Sequence, residues 1–487
     1  MKRVVCLALA ALACVGFSFA NGTREAEDGT AVLPLRDPVP TKSGWVSGVV
    51  NGKPGKEVIS YRGIPYAAPP VGNLRWKAPQ PVTPWTGIRE CTGLTKWPPQ
   101  SFPTVERYGS IPESFMSEDC LYLNVHVPVR TDGKPLPVMV WLHGGGLTNQ
   151  SGSRDIYNMP FLPAAGNVIQ VSVVHRLGPI GYLAHPALSA ESPQGVSGNY
   201  GNLDILAALK WVKDNIAAFG GDPGNVTLFG QSGGGTKTAM VVASPLAKGL
   251  VDKAIIMSGR VDGTPLKEAE KIGLALAEKL GVTGTGPEAL AALRALKWQD
   301  IIVTSLQEKY SADHTIDGWA LPDAVSAIFK DGKQNDIPLM MGFTESDIPD
   351  YAIQGVSTVV SQMKMLKSPV YPYMFTYLPK NWRKDGAKAW HSLDVGYIFG
   401  NPRKIAPVNF GDYGKRAGAV TPDAGFGPAD DAMSEFMMQT WAQFARTGDP
   451  SLPGGLKWPS YSRDKDQYVA LDTVPEIRTG YSAFAAK

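Results

Sequence analysis

A glycine-rich turn near the middle of the chain follows a short apolar run. Residues 226–229 read Val-Thr-Leu-Phe and predict a buried strand, and residues 230–234 read Gly-Gln-Ser-Gly-Gly. In a Gly-x-Ser-x-Gly turn the strand ends sharply, the serine oxygen is lifted clear of the backbone, and a helix follows. The flanking glycines permit this turn, because a Cβ there would clash. The pattern predicts that Ser232 is a nucleophile at the end of a strand.

A second glycine-rich loop lies upstream of this turn. Residues 138–142 are apolar and predict another strand, and residues 143–146 read His-Gly-Gly-Gly. A triple glycine can be merely a flexible loop, and the chain has 53 glycines among 487 residues. Serine hydrolases, however, need backbone N–H groups from such a loop to hold the oxyanion of the reaction. Two such loops, each at a predicted strand end, favour a serine hydrolase.

The rest of the chain alternates between predicted strands and predicted helices. Strands are expected at 168–174, 254–257 and 338–341, and helices at 206–219, after the serine turn, and near 266–280. This alternation predicts the α/β class, with a mainly parallel sheet covered by helices on both faces. Residues 45–127 are richer in short strands and turns, which indicates an antiparallel extension of the sheet. Sites in such folds lie at the carboxyl ends of strands.

Four longer stretches resemble the type-B carboxylesterase family, which includes bacterial esterases and the cholinesterases. They are RGIPYAAPP at 62–70 with LRW at 74–76, SEDCLYLNV at 117–125, NYGNLD at 199–204, and WAQFARTGDP at 441–450. The similarity spans roughly residues 40 to 480. The resemblance implies an α/β-hydrolase fold, and we expect residues 21–487 to form one catalytic domain.

The catalytic partners of Ser232 should follow it in the order acid, then histidine. Only His314 and His391 follow Ser232, and the block around His391 resembles the family's histidine block. The resemblance implies that His391 is the general base. Relatives commonly carry a glutamate five positions after the glycine that corresponds to Gly342, and here that position is Asp347. Asp347 is therefore the expected orienting acid, and Glu345 is the alternative.

The resemblance also assigns the oxyanion hole to the backbone N–H groups of Gly145, Gly146 and Gly233. His143 is expected to brace this loop. The sequence contains no His-Glu-x-x-His pattern, no Cys-x-x-Cys pair and no P-loop, so no metal and no organic cofactor is expected.

Three departures from the family pattern bear on the substrate. Relatives often have glutamate immediately before the serine, and here it is Gln231. Ser110 stands where cholinesterases place the tryptophan that binds choline by a cation–π contact. The stretch from Asp347 to His391, which normally builds helices over the site, covers about 44 positions. These features predict an open site for neutral, fairly bulky esters, without cholinesterase activity.

The N-terminus predicts export from the cytoplasm. Residues 1–20 combine Lys2 and Arg3 with a charge-free stretch that ends Ser-Phe-Ala, as in a cleaved signal peptide. We expect a secreted or periplasmic protein without stable membrane insertion; a membrane anchor, or a lipoprotein site at Cys14, is the alternative. Cys91 and Cys120 then remain as an even pair in an oxidising compartment. The sequence predicts a disulfide between them, and two buried thiols are the alternative.

The charge of the chain gives no reason to expect a nucleic-acid or anionic-membrane partner. It carries a formal net charge of +3, which falls to +1 without the signal segment, so no nucleic-acid partner is expected. The expected partner is a small-molecule ester, and the oligomeric state is not predicted. The sequence as a whole predicts a serine esterase that works through an acyl-enzyme. Alternatives are a carbamate or amide hydrolase with the same residues, and a non-catalytic adhesion protein of this fold.

Overall fold

The computed structural model describes residues 37–93, 95–101, 112–129, 133–348, 352–404 and 410–485. The predicted signal segment, Cys14 and Ser110 lie outside these ranges. The strands of the described residues, in chain order, are β1 Val39–Thr41, β2 Gly44–Ser47, β3 Val49–Lys53, β4 Lys56–Pro65, β5 Ile88–Glu90, β6 Tyr122–Pro128, β7 Leu136–Leu142, β8 Ile169–Val173, β9 Gly221–Gln231, β10 Lys253–Met257, β11 Thr264–Pro265, β12 Thr315–Ile316, β13 Leu339–Thr344, β14 Val370–Phe375, β15 Gln467–Leu471 and β16 Glu476–Thr479.

Within the described residues, eleven strands form one sheet. Its order is β16-β15-β14-β13-β10-β9-β7-β8-β6-β4-β3. The seven strands from β15 to β8 run parallel to one another, while β16 at one edge and β6, β4 and β3 at the other pair antiparallel with their neighbours. The predicted parallel sheet with an N-terminal antiparallel extension is therefore confirmed.

Helices connect the parallel strands. The α-helices are α1 Phe161–Gly166, α2 Gly178–Tyr182, α3 Pro186–Glu191, α4 Tyr200–Asn215, α5 Gly233–Ala243, α6 Leu266–Lys279, α7 Pro287–Ala295, α8 Trp298–Gln307, α9 Val325–Asp331, α10 Gln354–Gln362, α11 Lys380–Lys384, α12 Leu393–Ile398 and α13 Pro428–Thr447. Shorter 3₁₀ and π turns lie at Gly72–Leu74, Glu113–Phe115, Asp155–Tyr157, Ile216–Phe219, Pro245–Ala247, Phe410–Gly414 and Tyr481–Phe484. Among the described residues, no helix combines the length and the apolar composition that crossing a bilayer requires.

Both faces of the central sheet are buried, and β10 shows how the sequence produces this. Ala254 and Ile256 point into one core, which they share with α4, α5, α9 and α10. Ile255 and Met257 point into a second core on the opposite face, together with side chains of α1, α12 and α13. Successive side chains of a strand alternate between faces, so a strand covered on both sides has to be apolar throughout. This explains the continuous apolar runs from which the strands are predicted.

The structure contradicts the predicted disulfide, because Cys91 and Cys120 are free, buried thiols. Cys91 follows β5, and its backbone N–H donates to the carbonyl of Ser47 while its thiol faces the carbonyl of Gly63 at 4.0 Å. Cys120 precedes β6 in the main core. Backbone pairing holds each cysteine in its own packed position. An even number of cysteines carries no information about whether their Cβ atoms come within bridging distance.

Candidate active site

Ser232 lies on a sharp turn between β9 and α5. Its backbone has φ 58° and ψ −125°, a region that non-glycine residues rarely occupy. Its N–H donates to the carbonyl of Met257 at the end of β10, and its own carbonyl accepts the first hydrogen bond of the helix, from Thr236. A strained backbone conformation fixed in this way on both sides is typical of functional sites.

Close backbone packing explains two glycines next to this serine. A Cβ on Gly234 would lie 1.9 Å from the carbonyl oxygen of Leu142, the last residue of β7. A Cβ on Gly233 would lie 2.0 Å from the carbonyl oxygen of Gly146. No side chain fits at these separations, so the loop after β7 packs directly against the start of α5. The two glycine-rich loops predicted from the sequence therefore lie side by side.

His391 lies within hydrogen-bonding distance of Ser232. Its Nε2 is 2.9 Å from Ser232 Oγ, and its Nδ1 is 2.5 Å from Asp347 Oδ1. The chain before it is held beside the acid loop, because Ser346 pairs with Trp390 and its N–H donates to the carbonyl of Ala389. Since a carboxylate only accepts, Nδ1 carries the proton and Nε2 presents a lone pair to the serine hydroxyl.

Asp347 is buried and accepts hydrogen bonds on both oxygens. Oδ1 accepts from His391 and from the N–H of Ile348, at 2.8 Å. Oδ2 accepts from Ser258 Oγ at 2.6 Å and from the N–H of Thr344 at 3.1 Å. Burial opposes its charge, but these donors and the facing imidazole hold the pKa of Asp347 below its ordinary value. The carboxylate is therefore ionised and fixed in one orientation.

The same contacts set the ionisation of the imidazole. Burial opposes a charge on His391, yet the carboxylate of Asp347 outweighs burial and raises the pKa of His391 above its ordinary value. Asp394, in α12, is buried near this pair. Burial, together with repulsion from Asp347, raises the pKa of Asp394 to about 7. The imidazole is thus basic, with one ionised carboxylate fixed behind it.

Glu345 lies away from this group of residues. Its side chain is about one-third exposed, and Oε1 is 4.0 Å from Lys388 Nζ. Its backbone N–H donates to the carbonyl of Phe375, so it continues the pairing of β13 with β14. The strand ends at Thr344, and the N–H of Asp347 donates back to the carbonyl of Thr344, so the chain turns here. Because of this turn, Glu345 and Asp347 do not share the face that residues two apart share in a regular strand.

Three backbone N–H groups next to Ser232 have no acceptor among the described residues and can therefore donate to a ligand. The N–H groups of Gly145, Gly146 and Gly233 donate to no described residue. Gly145 and Gly146 have φ of 87° and 63°, so the loop turns through conformations that favour glycine. Gly233 is the first residue of α5, where helical N–H groups have no intrahelical acceptor and the helix dipole favours a negative charge. This arrangement can hold an oxyanion.

A model of the carboxylesterase family matches residues 36–354 and 350–485, which is nearly the whole described chain. The chain belongs to the carboxylesterase family. It is 31% identical to the para-nitrobenzyl esterase of Bacillus subtilis, with 88% of this chain and 94% of that protein covered. It is 30% identical to the fumonisin B1 esterase of Sphingopyxis macrogoltabida, with 86% and 84% covered. The family match and these relatives show that the chain is a carboxylic ester hydrolase.

Solved structures agree with this assignment. A thermophilic PNB esterase superposes with a TM-score of 0.76 at 30% identity, covering 90% of this chain and 97% of the other. A second PNB esterase structure gives a TM-score of 0.77 at 29% identity, covering 90% and 96%. The α/β-hydrolase fold of this carboxylesterase is therefore established both by its own sheet and by its neighbours.

The structure adds contacts at the site that the sequence does not reveal. Ser258 follows β10 with φ 53° and donates to Asp347, and its only sequence signal is its position after a predicted strand. Gln231 is buried, and its amide nitrogen lies 3.4 Å from His391 Nε2 while its amide oxygen accepts from Ser392. The Tyr413 ring lies 5.4 Å from the His391 ring, centroid to centroid.

Proposed function

We propose that this carboxylesterase hydrolyses neutral esters through an acyl-enzyme formed on Ser232. The observation that carries the proposal is the continuous contact from Ser232 Oγ through His391 to Asp347, with separations of 2.9 and 2.5 Å. A serine hydroxyl is a weak nucleophile by itself, and a positioned base with an orienting carboxylate activates it. The available N–H groups of Gly145, Gly146 and Gly233 support the same mechanism.

In this mechanism Ser232 Oγ attacks the ester carbonyl while His391 Nε2 takes its proton. The carbonyl oxygen becomes an oxyanion that accepts hydrogen bonds from the three glycine N–H groups. When the tetrahedral intermediate collapses, His391 returns the proton to the departing alcohol and leaves an acyl-enzyme. Water, deprotonated by the same imidazole, then attacks the acyl carbonyl and releases the acid and Ser232. Asp347 stays ionised and stabilises the imidazolium in both halves.

The preference for neutral substrates rests on Gln231. Its amide, rather than a carboxylate, lies next to Nε2 of His391, so an ammonium group in the alcohol gains no Coulombic attraction there. The ring of Tyr413 offers an aromatic surface near the imidazole. The para-nitrobenzyl group in the name of the Bacillus relative is neutral and aromatic, which supports the same class for this chain.

The short segment between Asp347 and His391 supports an open site. Of its described part, β14 is a buried interior strand of the sheet, and the buried residues of α10 pack in the first core. Chain that is committed to the sheet and the core does not roof the carboxyl ends of the strands. We therefore propose that the site accepts fairly bulky acyl and aryl groups.

The nucleophile can be tested by labelling. A fluorophosphonate probe should label wild type at Ser232, and Ser232→Ala should lose both labelling and turnover of p-nitrophenyl butyrate. Ser114→Ala, at an exposed serine, is the matched control and should behave as wild type. Labelling at another serine, or labelling without any ester turnover, would show that the proposed mechanism is wrong.

The substrate charge can be tested with two esters of the same shape. Acetylcholine and 3,3-dimethylbutyl acetate share an acetyl group and differ in a quaternary nitrogen or carbon. Wild type should hydrolyse the neutral ester at least as well, and Gln231→Glu should shift the ratio of kcat/KM toward the cation about tenfold or more. The ratio cancels any effect of the substitution on His391. A wild-type preference for acetylcholine contradicts the neutral-substrate proposal.

We also propose that residues 1–20 are a signal peptide and that the enzyme is exported. The support is the sequence pattern of two basic residues, a charge-free stretch and a small-x-small end. The mass of enzyme recovered from the periplasm or medium should correspond to a chain that begins near Asn21. Recovery from the cytoplasm with the N-terminal segment still attached would refute this.

A further inference from the structure

A lysine is buried beneath the loop that carries Gly145 and Gly146. Lys237 lies in α5, five residues after Ser232, and its side chain has no exposed surface. Its Nζ lies 3.1 Å from Nε2 of His175, and within the described residues no carboxylate forms an ion pair with it. Burying an amine without a carboxylate costs stability. Such a position calls for an explanation other than packing.

The hydrogen bonds of His175 show that Lys237 acts as a hydrogen-bond donor to its ring. Nδ1 of His175 lies 3.0 Å from the carbonyl oxygen of Arg176, and because a carbonyl can only accept, Nδ1 carries the ring proton. Nε2 then bears a lone pair, and Lys237 Nζ is its donor. Lys237 can donate whether its amine is charged or neutral. Together with the carbonyl of Arg176, it therefore holds the His175 ring in one orientation and one tautomer.

The ring of His175 in turn supports His143. The two rings stack at 4.9 Å between centroids with 11° between their planes. Nδ1 of His143 donates to the carbonyl of Gly144 at 2.8 Å, while its Nε2 has no partner among the described residues. His143 is thus held by one hydrogen bond and by the face of His175.

The carbonyl of Gly144 and the N–H of Gly145 belong to one planar trans peptide, so they point in opposite directions. A hydrogen bond that fixes the carbonyl on one side fixes the N–H on the other. This N–H has no acceptor among the described residues. A Cβ on Gly144 would lie 3.2 Å from the Cβ of Ser232, so this peptide lies against the nucleophile.

We propose that Lys237 is a positioning residue for the oxyanion hole, acting through the stacked rings of His175 and His143 on the Gly144–Gly145 peptide. The inference rests on the proposed role of Gly145 as an oxyanion donor. Lys237 touches no reacting atom. Its effect is to restrict the direction of a donor that has to be aimed before the oxyanion forms, which is how preorganised donors lower a barrier.

The test compares two neutral replacements with a control in the same helix. Lys237→Met keeps an unbranched chain but has no donor, and His175→Phe keeps a ring for stacking but has no acceptor. Met240→Leu is the control, because Met240 is equally buried in α5 and takes no part in these contacts. Each variant is measured for kcat, KM, fluorophosphonate labelling stoichiometry, and inhibition by an aryl trifluoromethyl ketone, which forms a tetrahedral adduct on the serine.

Lys237→Met and His175→Phe should each lower kcat about tenfold, less than the roughly 10²–10³-fold loss when a donor is removed outright. KM should change little. The Ki of the ketone should rise by the same factor as kcat falls, because both report on binding of the oxyanion. The kcat of the double variant should be no lower than that of the more impaired single variant, since both substitutions remove the same Lys237–His175 hydrogen bond. Met240→Leu should match wild type.

Several results would overturn the proposal. They are an unchanged kcat and ketone Ki in Lys237→Met, a change in KM alone, or independent multiplicative losses in the double variant. If Lys237→Met does not fold, His175→Phe decides by the same criteria. Failure of the proposed function is distinguishable, because it would appear in wild type as absent ester turnover or as labelling away from Ser232.

Discussion

Replacing Asp347 with asparagine removes a charge and one acceptor while keeping the shape of the side chain. If the amide oxygen faces His391, the amide NH₂ faces the N–H of Thr344, and that donor loses its acceptor. If the NH₂ faces His391 instead, the N–H of Ile348 loses its acceptor, Nδ1 has to become an acceptor, and the ring proton moves to Nε2. The imidazole can then no longer accept the proton of Ser232. Either orientation disrupts one part of the site.

The size of the effect follows from these contacts. An imidazole in the wrong tautomer lowers kcat about 10⁴-fold, which corresponds to about 5.4 kcal/mol of activation free energy. In either orientation one backbone N–H, that of Thr344 or that of Ile348, loses its acceptor, which costs about 1–3 kcal/mol of folding stability. The thermal unfolding midpoint should therefore fall in either case. The loss of the carboxylate charge that stabilises the imidazolium should lower kcat in either case.

The assay is steady-state turnover of p-nitrophenyl butyrate by wild type, Asp347→Asn and Glu345→Gln, with thermal unfolding of each. Glu345→Gln is the matched control, because it also converts a carboxylate to an amide, but at a partly exposed position 4.0 Å from Lys388. Exposed ion pairs contribute little, so its kcat should stay within about twofold of wild type. An Asp347→Asn variant that keeps more than a tenth of wild-type kcat would refute the reasoning.

Four further outcomes are expected. Ser258→Ala should lower kcat about tenfold in turnover assays, because the triad carboxylate loses a hydroxyl donor. In a pH profile of kcat/KM, activity should fall as pH drops through a midpoint above 6.5, because the active base is neutral His391 and its pKa is raised. Native Cys91 and Cys120 should resist thiol reagents that modify both after unfolding, since burial raises the pKa of Cys91 to about 11 and that of Cys120 well above its ordinary value. Denaturant titrations should show wild type gaining stability over Lys237→Met by about 1.4 kcal/mol per pH unit between about pH 7 and pH 10.5, because burial lowers the folded pKa of this lysine from 10.5 to about 7 and the unfolded chain binds the extra proton.

The elements of the sheet could be predicted because burial on both faces leaves a clear mark in the sequence. The predicted strand at 254–257 corresponds to β10, and the predicted helix near 266–280 corresponds to α6. The predicted ends of strands are less accurate where backbone pairing extends beyond the apolar run. β9 begins at Gly221 rather than at residue 226, because Gly221 pairs with Leu136 although it has no side chain to bury. An apolar pattern reports burial and not backbone pairing.

The candidate site likewise contains residues that the sequence predicts and residues that it does not. Ser232 lies in a local sequence pattern. Resemblance and chain order predict the other two residues: His391, which contacts Ser232, and Asp347, which contacts His391. The structure brings them within hydrogen-bonding distance, and their roles stay predictions. Ser258 and Lys237 belong to no local pattern, since what matters is which side chains meet across strands. The wrong disulfide prediction has the same origin, because pairing two cysteines requires a distance that the sequence does not contain.

The order of strands explains why these distant residues meet. Reading across the neighbouring strands β8, β7, β9, β10 and β13, the residues just after the carboxyl ends are His175, His143, Ser232, Ser258 and Asp347. In the proposed mechanism these residues are, in the same order, the support of the oxyanion loop, a residue of that loop, the nucleophile, the donor to the carboxylate, and the carboxylate. Lys237 lies one turn into the helix after β9, where it reaches back across β7 to His175. The strand after which a substituted residue lies therefore determines what the substitution changes. Substitutions after β8 and β7 should alter oxyanion binding. Substitutions after β10 and β13 should alter the ionisation of His391.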